Sequence, residues 1–228
     1  GAIVSANITG KNGVTLKSKW EHGPLTYLGL TSVGFPNLYM ITGPGSPSVL
    51  SNMMVSIEQH VDWIRDTLVH MREQGYGRII STSSAAGVFG NFGQTNYGAA
   101  KMGLVGFTRV LGVEGARFNI KANAIAPLAM TRMTEDILGA LKDKLAPELV
   151  SPLVAFLAHE ECPVSGQLFS VGGGRVAHVF LGETNGYYSP TLTPEDVQNN
   201  WETITARDNF SVPNNLGEET AMFLSFFK

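Results

Sequence analysis

The chain has 228 residues, which is enough for one domain with a full hydrophobic core but not for two domains of ordinary size. Charged residues make up 15% of it and the formal net charge is −3, so the composition argues against a nucleic-acid partner and suggests apolar surface that a second subunit could cover. The single cysteine, Cys162, excludes an internal disulfide, and the five histidines have no spacing typical of a metal site.

No stretch of the sequence reaches the ~18 uninterrupted apolar residues that a membrane-spanning helix needs. The first residues, GAIVSANITG, have neither the basic start nor the long apolar run of a signal peptide. These two observations predict an intracellular protein with no membrane partner.

The first third of the chain predicts a hairpin, a strand and a long helix. Residues 2–9 and 13–18 are β-prone runs on either side of a Gly-Lys-Asn-Gly turn, and FPNLYMIT predicts a buried strand at about 37–42. Apolar residues then recur at three- and four-residue steps, which predicts one amphipathic helix from Ser48, a good N-cap, to Gly75, a good stop.

Strands and helices alternate in the middle of the chain. RIISTSS, NIKANAIAP and GQLFSVGGG predict strands at 78–84, 119–127 and 166–174, and helices are predicted at about 95–116, 134–144 and 147–159. Such alternation is typical of βαβ units, so we expect an α/β fold with a parallel sheet and flanking helices.

The last segment of the chain is acidic and differs in character from the rest. TPED, which begins at Thr193, has the form of a capping box with proline at the first helical position and predicts a helix to about Arg207. A second short helix is predicted at 216–227. We therefore expect one α/β domain over residues 1–181 and an acidic helical extension over 182–228.

Three side chains form a pattern that points to chemistry. Tyr97 and Lys101 stand four residues apart at the start of a predicted helix, hence on one face. An ammonium group close to a phenol favours the phenolate, so the pair can donate or accept a proton. Ser84 ends the preceding predicted strand, and its hydroxyl could hold a substrate oxygen against Tyr97. A tyrosine and a lysine at this spacing are usually a structural pair, but the serine thirteen residues earlier favours a catalytic site.

Two stretches of the chain, YGRIISTSSAAGVFGNFGQTNYGAAKMGLVGF and NIKANAIAPLAMTRMT, carry a family resemblance. Through them residues 75–181 resemble the C-terminal half of a short-chain dehydrogenase/reductase, and are most similar to the (3R)-hydroxyacyl-CoA dehydrogenase part of multifunctional β-oxidation enzymes. The resemblance implies that Ser84 orients the substrate and that Tyr97 transfers the proton. It implies that Lys101 binds the nicotinamide ribose and assists the tyrosine.

The same resemblance implies NAD or NADP as the cofactor and a secondary alcohol or ketone, with a 3-hydroxyacyl-CoA favoured, as the substrate. We expect the protein in the cytoplasm or in a peroxisome, and we expect a homodimer because a sheet edge at 37–42 would otherwise be uncovered. The implied cofactor contacts are Tyr97, Lys101, Pro127, Leu128, Ala129 and Thr131. Leu128 departs from the family, which usually has glycine after this proline.

A different resemblance covers residues 1–74. KWEHGPLTYLGL, GFPNLYMITGPGSPSVLSNM and VSIEQHVDWI are similar to the end of the FAD-binding region of a Baeyer-Villiger monooxygenase. The G-x-G-x-x-G loops of that family are absent, so FAD is not expected. A chain joined from the two families would have a truncated or chimeric Rossmann-like sheet, with a strand at 37–42 beside the strand that carries Ser84.

The sequence leaves three functions open. The first is an NAD(P)-dependent oxidoreductase that uses Ser84, Tyr97 and Lys101. The second is a non-catalytic α/β domain that keeps these residues without a complete cofactor site, because the pyrophosphate-binding T-G-x-x-x-G-x-G turn of short-chain dehydrogenases is absent before residue 75. The third and least favoured is a fragment of a flavin-dependent monooxygenase.

Overall fold

The computed structural model describes residues 8–27, 31–35, 38, 40, 53–129 and 144–227. The helices in these ranges are α1 Leu16–Lys19, α2 Met53–Gln74, α3 Ala85–Phe89, α4 Thr95–Gly115, α5 Ser151–Ala158, α6 Pro194–Asn199, α7 Trp201–Thr205 and α8 Leu216–Leu224. The strands are β1 Gly77–Thr82, β2 Ile120–Pro127, β3 Leu168–Gly172, β4 Arg175–Val179, β5 Glu183–Thr184 and β6 Phe210–Ser211. The predicted helix at 134–144 and the predicted start of α2 at Ser48 lie outside the described residues.

Four strands form the main sheet in the order β1-β2-β3-β4. β1 pairs with β2 in parallel, from Gly77 opposite Ile120 to Thr82 opposite Ile125, and β2 also pairs with β3 in parallel. β4 runs antiparallel to β3 and was not predicted as a separate strand. The predicted α/β class, with a parallel sheet flanked by helices, is confirmed.

β2 lies at the centre of the sheet and is buried on both faces, so alternate residues of one apolar run supply two cores. Ala124 and Ala126 belong to a cluster with Val105 of α4, whereas Ile125 packs with Leu157 of α5. α4 and α5 therefore cover opposite faces of the sheet.

One polar residue, Asn123, is buried in β2, and its side chain is fully used. Its amide nitrogen donates to Val164 O at 3.0 Å, and its amide oxygen accepts from Gln167 N at 3.1 Å. Buried polar groups are tolerated when they are hydrogen-bonded. Asn123 thus fixes the chain that enters β3 against the middle of β2.

A third apolar cluster forms among the described residues before 41, and its buried members are Leu16, Trp20, Phe35 and Met40. The predicted turn is confirmed by an antiparallel bridge between Thr9 and Thr15. The prediction of β structure over 13–18 is wrong because the Thr15 hydroxyl accepts from Ser18 N at 3.1 Å and so caps α1.

The predicted strand at 37–42 is described only at Leu38 and Met40, and neither residue lies in a strand. Met40 is buried, as predicted, but within the cluster of Leu16 and Trp20. The other residues of that prediction lie outside the described part of the chain.

The C-terminal extension begins as predicted with a capping box. Thr193 Oγ1 accepts from Asp196 N at 3.1 Å, and the Asp196 carboxylate accepts from Thr193 N at 2.9 Å. The predicted single helix is in fact two, α6 and α7, which are separated at Asn200. The extension meets α4 where Arg109 donates to Pro213 O at 2.9 Å. The division into a domain over 1–181 and an extension over 182–228 stays a prediction.

Candidate active site

The candidate site lies at the edge of the sheet where the parallel strands β1 and β2 end. β1 ends at Thr82, two residues before the predicted boundary, and Ser83 N still donates to Ile125 O at 2.7 Å. Carboxyl ends of parallel strands meet at the same edge, and the loops that follow them build sites in α/β folds. The chain therefore delivers residues 83 and 84 to this edge.

Ser84 follows β1 as the N-cap of α3. Its backbone is extended, and its Oγ accepts from Ala86 N at 3.2 Å. Serine is a favoured N-cap because its hydroxyl oxygen satisfies an amide at the start of the helix. The hydroxyl proton of Ser84 is not used in that bond, so Ser84 can still donate to a substrate oxygen.

Tyr97 and Lys101 lie in the first two turns of α4, on one face, as their spacing predicts. The Tyr97 side chain is 42% exposed, and Lys101 Nζ lies 5.6 Å from the centroid of its ring. Lys101 Nζ also donates to Thr82 O at 3.0 Å, which ties the ammonium group to the end of β1. An ammonium group has three donors, so two remain for other partners.

The structure brings Lys101 to both Tyr97 and the end of β1, but it does not join Ser84 to Tyr97 by a hydrogen bond. Within the described ranges, the Ser84 side chain bonds only to Ala86 N, and the Tyr97 hydroxyl has no hydrogen-bond partner. Both hydroxyls are therefore able to bind a third group, such as a substrate oxygen. A general acid or base pair that meets only through its substrate is an ordinary feature of unliganded sites.

The residues predicted to contact a cofactor after β2 are described in part. Pro127 ends β2, as predicted, and lies opposite Val171 of β3. Leu128 N donates to Val171 O at 2.8 Å, so the pairing extends one residue past the proline. Thr131 lies outside the described residues, and the cofactor contacts of Pro127, Leu128 and Ala129 stay predictions.

Two positions beside Lys101 were missed in the sequence. Ser83 is 2% exposed, and its Oγ donates to Lys101 O at 2.7 Å. Gly87 of α3 packs so closely on α4 that a Cβ at this position would lie 2.7 Å from Lys101 Cβ. The sequence does contain one signal for Ser83, which is the pair of adjacent serines, Ser83 and Ser84, after the strand. Adjacent side chains there point in opposite directions, so one of the two should face the protein interior.

Within the described ranges, no group of three or more histidine, cysteine or acidic side chains is placed to hold a metal ion. Over the same residues, no helix combines the length and the apolar character needed to cross a bilayer. The candidate site itself contains hydroxyl, phenol and ammonium groups, which can hold an oxygen atom and move a proton.

Comparison with known proteins gives this geometry a context. Residues 46–140 match the short chain dehydrogenase family. The chain is 49% identical over 144 residues to a short-chain type dehydrogenase/reductase of Mycobacterium tuberculosis, and the match covers 62% of this chain and 50% of that protein. It is 44% identical over 157 residues to peroxisomal multifunctional enzyme A of Dictyostelium discoideum, with 68% of this chain and 36% of that protein covered.

A solved structure supports the fold assignment. Full-length peroxisomal multifunctional enzyme type 2 of Drosophila melanogaster superposes with a TM-score of 0.64 at 32% sequence identity, over 76% of this chain and 32% of that chain. This chain thus spans half or less of the length of each of these three proteins.

The family match begins at residue 46 and runs through α2 and β1, so it extends across residue 74, where the sequence predicted a change of family. The resemblance of residues 1–74 to a Baeyer-Villiger monooxygenase, and with it the chimeric sheet, is not supported.

Proposed function

Because residues 46–140 match the short chain dehydrogenase family, we propose that the chain is an oxidoreductase that interconverts a secondary alcohol and a ketone at the site of Ser84, Tyr97 and Lys101. The observation that carries the proposal is the position of Lys101, whose ammonium group lies beside the Tyr97 ring and is fixed to Thr82 O. A lysine placed in this way serves a tyrosine that moves a proton.

Each residue has a distinct part in the proposed reaction. Ser84 donates a hydrogen bond to the substrate oxygen and holds it near Tyr97. Tyr97 takes the hydroxyl proton when an alcohol is oxidised and returns a proton to the oxygen when a ketone is reduced. Lys101 stabilises the phenolate that exists after Tyr97 has given up its proton. A bound nicotinamide supplies the hydride chemistry, as it does in other dehydrogenases.

The donor groups at the edge of the sheet fit the nicotinamide ribose of such a cofactor. Lys101 has two ammonium donors beyond the one that binds Thr82 O, and the Tyr97 hydroxyl lies on the same helix face. Ribose hydroxyls are acceptors and donors of the kind these groups bind. We propose NAD or NADP on this basis, with Pro127, Leu128 and Ala129 beside the nicotinamide.

A 3-hydroxyacyl-CoA is the proposed substrate. Support comes from the resemblance of residues 75–181 to hydroxyacyl-CoA dehydrogenases and from two aromatic side chains on the segment between Ser84 and Tyr97. Phe89 is 73% exposed and Phe92 is 101% exposed. Exposed aromatic rings on the segment that joins Ser84 to Tyr97 suit an apolar acyl group, whose burial against them would be favourable.

A second candidate function has an observation of its own. The sequence has no T-G-x-x-x-G-x-G turn, and in this family that turn binds the cofactor pyrophosphate. A non-catalytic α/β domain that keeps Ser84, Tyr97 and Lys101 would explain this. The two functions make opposite predictions for cofactor binding.

The decisive experiment measures cofactor binding and turnover together. Titration with NADH and with NADPH, followed by nicotinamide fluorescence, should show saturable binding of one of them below millimolar concentration. The same protein should oxidise a 3-hydroxyacyl-CoA with the matching oxidised cofactor, and Tyr97→Phe should lose that turnover while keeping the circular dichroism spectrum. No binding of either cofactor at millimolar concentration would support the non-catalytic domain instead.

A cytoplasmic or peroxisomal location and a homodimer belong to the same proposal. A peroxisomal location is supported by the similarity to two peroxisomal multifunctional enzymes. Analytical ultracentrifugation of the purified chain would decide the dimer: a single species of one-chain mass over the micromolar range would exclude it.

A further inference from the structure

Three residues at or after the end of β1 contact Lys101: Thr82, Ser83 and Gly87. Thr82 O accepts from its Nζ at 3.0 Å, and Ser83 Oγ donates to its backbone carbonyl at 2.7 Å. Gly87 lets α3 approach its backbone. Of these, only the Ser83 bond joins a side chain to the backbone of α4, so it acts on the position of the helix itself.

Ser83 is fixed at both ends of this connection. Its backbone N–H donates to Ile125 O at 2.7 Å, which holds it to β2, and its side chain is 2% exposed. A carbonyl oxygen has two lone pairs, so Lys101 O can accept from Ser83 and still take part in the helix. One buried residue thus links the end of β1, the strand β2 and the second turn of α4.

The link has a direct geometric consequence for the candidate site. Ser84 is the next residue after Ser83, and Tyr97 lies one turn of α4 before Lys101. The bond from Ser83 to Lys101 therefore sets how far along the sheet, and at what rotation, α4 presents Tyr97 to the peptide that carries Ser84. A misplacement of about 1 Å between reacting groups can lower a rate about 100-fold.

We propose that Ser83 is a positioning residue, which acts through the Lys101 carbonyl to bring Tyr97 and Lys101 into register with Ser84. The inference rests on the proposed function for its effect on turnover. Its structural part, the placement of α4 by one buried hydroxyl, can be tested without turnover.

The test compares Ser83→Ala with a matched control, Ser32→Ala. Ser32 is also buried, and its hydroxyl also donates to a backbone carbonyl, that of Leu25, at 2.9 Å. Both variants lose a buried bond from a hydroxyl to a backbone carbonyl. Ser32→Ala also removes one acceptor of Trp20 Nε1, which keeps its bond to Leu25 O at 3.0 Å, so Ser32→Ala should lose at least as much thermal stability as Ser83→Ala. Only Ser83→Ala should lower kcat, about 10- to 100-fold, with KM within about threefold and with a displaced pH–rate profile.

Ser83→Thr, which keeps the hydroxyl, should restore most of kcat. Ser83→Cys is nearly isosteric with serine but is a weak donor, so its kcat should lie between those of Ser83→Ala and the unchanged protein. If Ser83→Ala does not fold, Ser83→Cys takes its place in the comparison. A kcat for Ser83→Ala or Ser83→Cys within twofold of the unchanged protein, with an unaltered pH–rate profile, would overturn the inference.

A second measurement separates this inference from the proposed function. The ring carbon signals of Tyr97 in NMR, assigned with Tyr97→Phe, should move in Ser83→Ala and stay in place in Ser32→Ala. If the unchanged protein binds no nicotinamide cofactor but the Tyr97 signals move, the proposed function fails and the positioning by Ser83 stands. If the signals do not move, the positioning by Ser83 is wrong whatever the protein catalyses.

Discussion

Gly87→Ala is the change that tests most directly whether α3 and α4 hold the candidate site together. A Cβ at this position would lie 2.7 Å from Lys101 Cβ, 3.0 Å from Met102 N and 3.1 Å from Lys101 C. Two of these neighbours are backbone atoms of α4, which cannot move aside as a flexible side chain can. The added methyl must therefore push α3 away from α4, by several tenths of an ångström.

The expected size of the effect follows from overpacking. Extra carbon atoms in a closely packed contact destabilise a protein by about 1–3 kcal/mol, and each kcal/mol lowers the melting temperature of a chain of this size by about 2–4 °C. We expect a fall of about 5 °C, measured by circular dichroism. Turnover of a 3-hydroxyacyl-CoA should fall more than tenfold, because Ser84 lies at the start of the displaced helix.

Gly103→Ala is the matched control, because Gly103 lies in the same helix as Lys101 and a Cβ there would meet no atom within 4 Å. Alanine is the better helix former by about 1 kcal/mol, so this variant should melt at the same temperature or higher. If the melting temperature and the turnover rate of Gly87→Ala equal those of Gly103→Ala, the close contact of α3 with Lys101 does not hold the candidate site together.

Three further outcomes are expected. Arg78 donates to four backbone carbonyls, and Arg78→Lys cannot reach them all. This variant should lower the free energy of unfolding in urea by about 1–2 kcal/mol. An unchanged urea midpoint would show that these bonds contribute little. Phe92→Ala should leave stability within about 0.5 kcal/mol but raise KM about tenfold for long-chain and not for short-chain acyl-CoA; an equal effect on both would exclude an acyl contact. The hydrogen bond from Asn214 N lowers the pKa of the Glu218 carboxyl, so this bond stabilises the start of α8 at neutral pH and is lost as the pH falls through that lowered pKa; the protection factor of the Asn214 amide should then fall in acid, and a pH-independent protection factor would refute the assignment.

Two strands of the main sheet, β2 and β3, could be predicted because each is a short, largely apolar run that ends at proline or glycine. β2 is the best example, since Ile120, Ala122, Ala124 and Ala126 form one apolar face and Pro127 ends the strand. β4 was missed because RVAHV has a mostly exposed, mixed surface and follows three glycines, which read as a loop. Gly173 and Gly174, with φ of 58° and 78°, in fact form the tight turn between two antiparallel strands.

Spacing predicted where the candidate residues lie, because a period of four on a helix and the order of strand and helix are visible in residue types. Tyr97 and Lys101 do share a face of α4, and Ser84 does follow β1. The partner of Ser83, by contrast, is a backbone carbonyl eighteen residues away. Every residue has such a carbonyl, so no residue type marks it, and the bond could be found only in the folded structure.

The two anchors of Lys101 explain why a lysine suits this position better than another cation. Thr82 O accepts one hydrogen bond from the ammonium group, and Ser83 Oγ donates to the backbone carbonyl of Lys101. Both the backbone and the tip of the side chain are therefore held before any ligand binds. An ammonium group has two further donors in directions that its single anchor does not set. Arginine would present a planar group that one carbonyl cannot orient in the same way. In the proposed function, Lys101 can therefore stay bound to the end of β1 while it serves Tyr97 on one side and a ribose hydroxyl on the other.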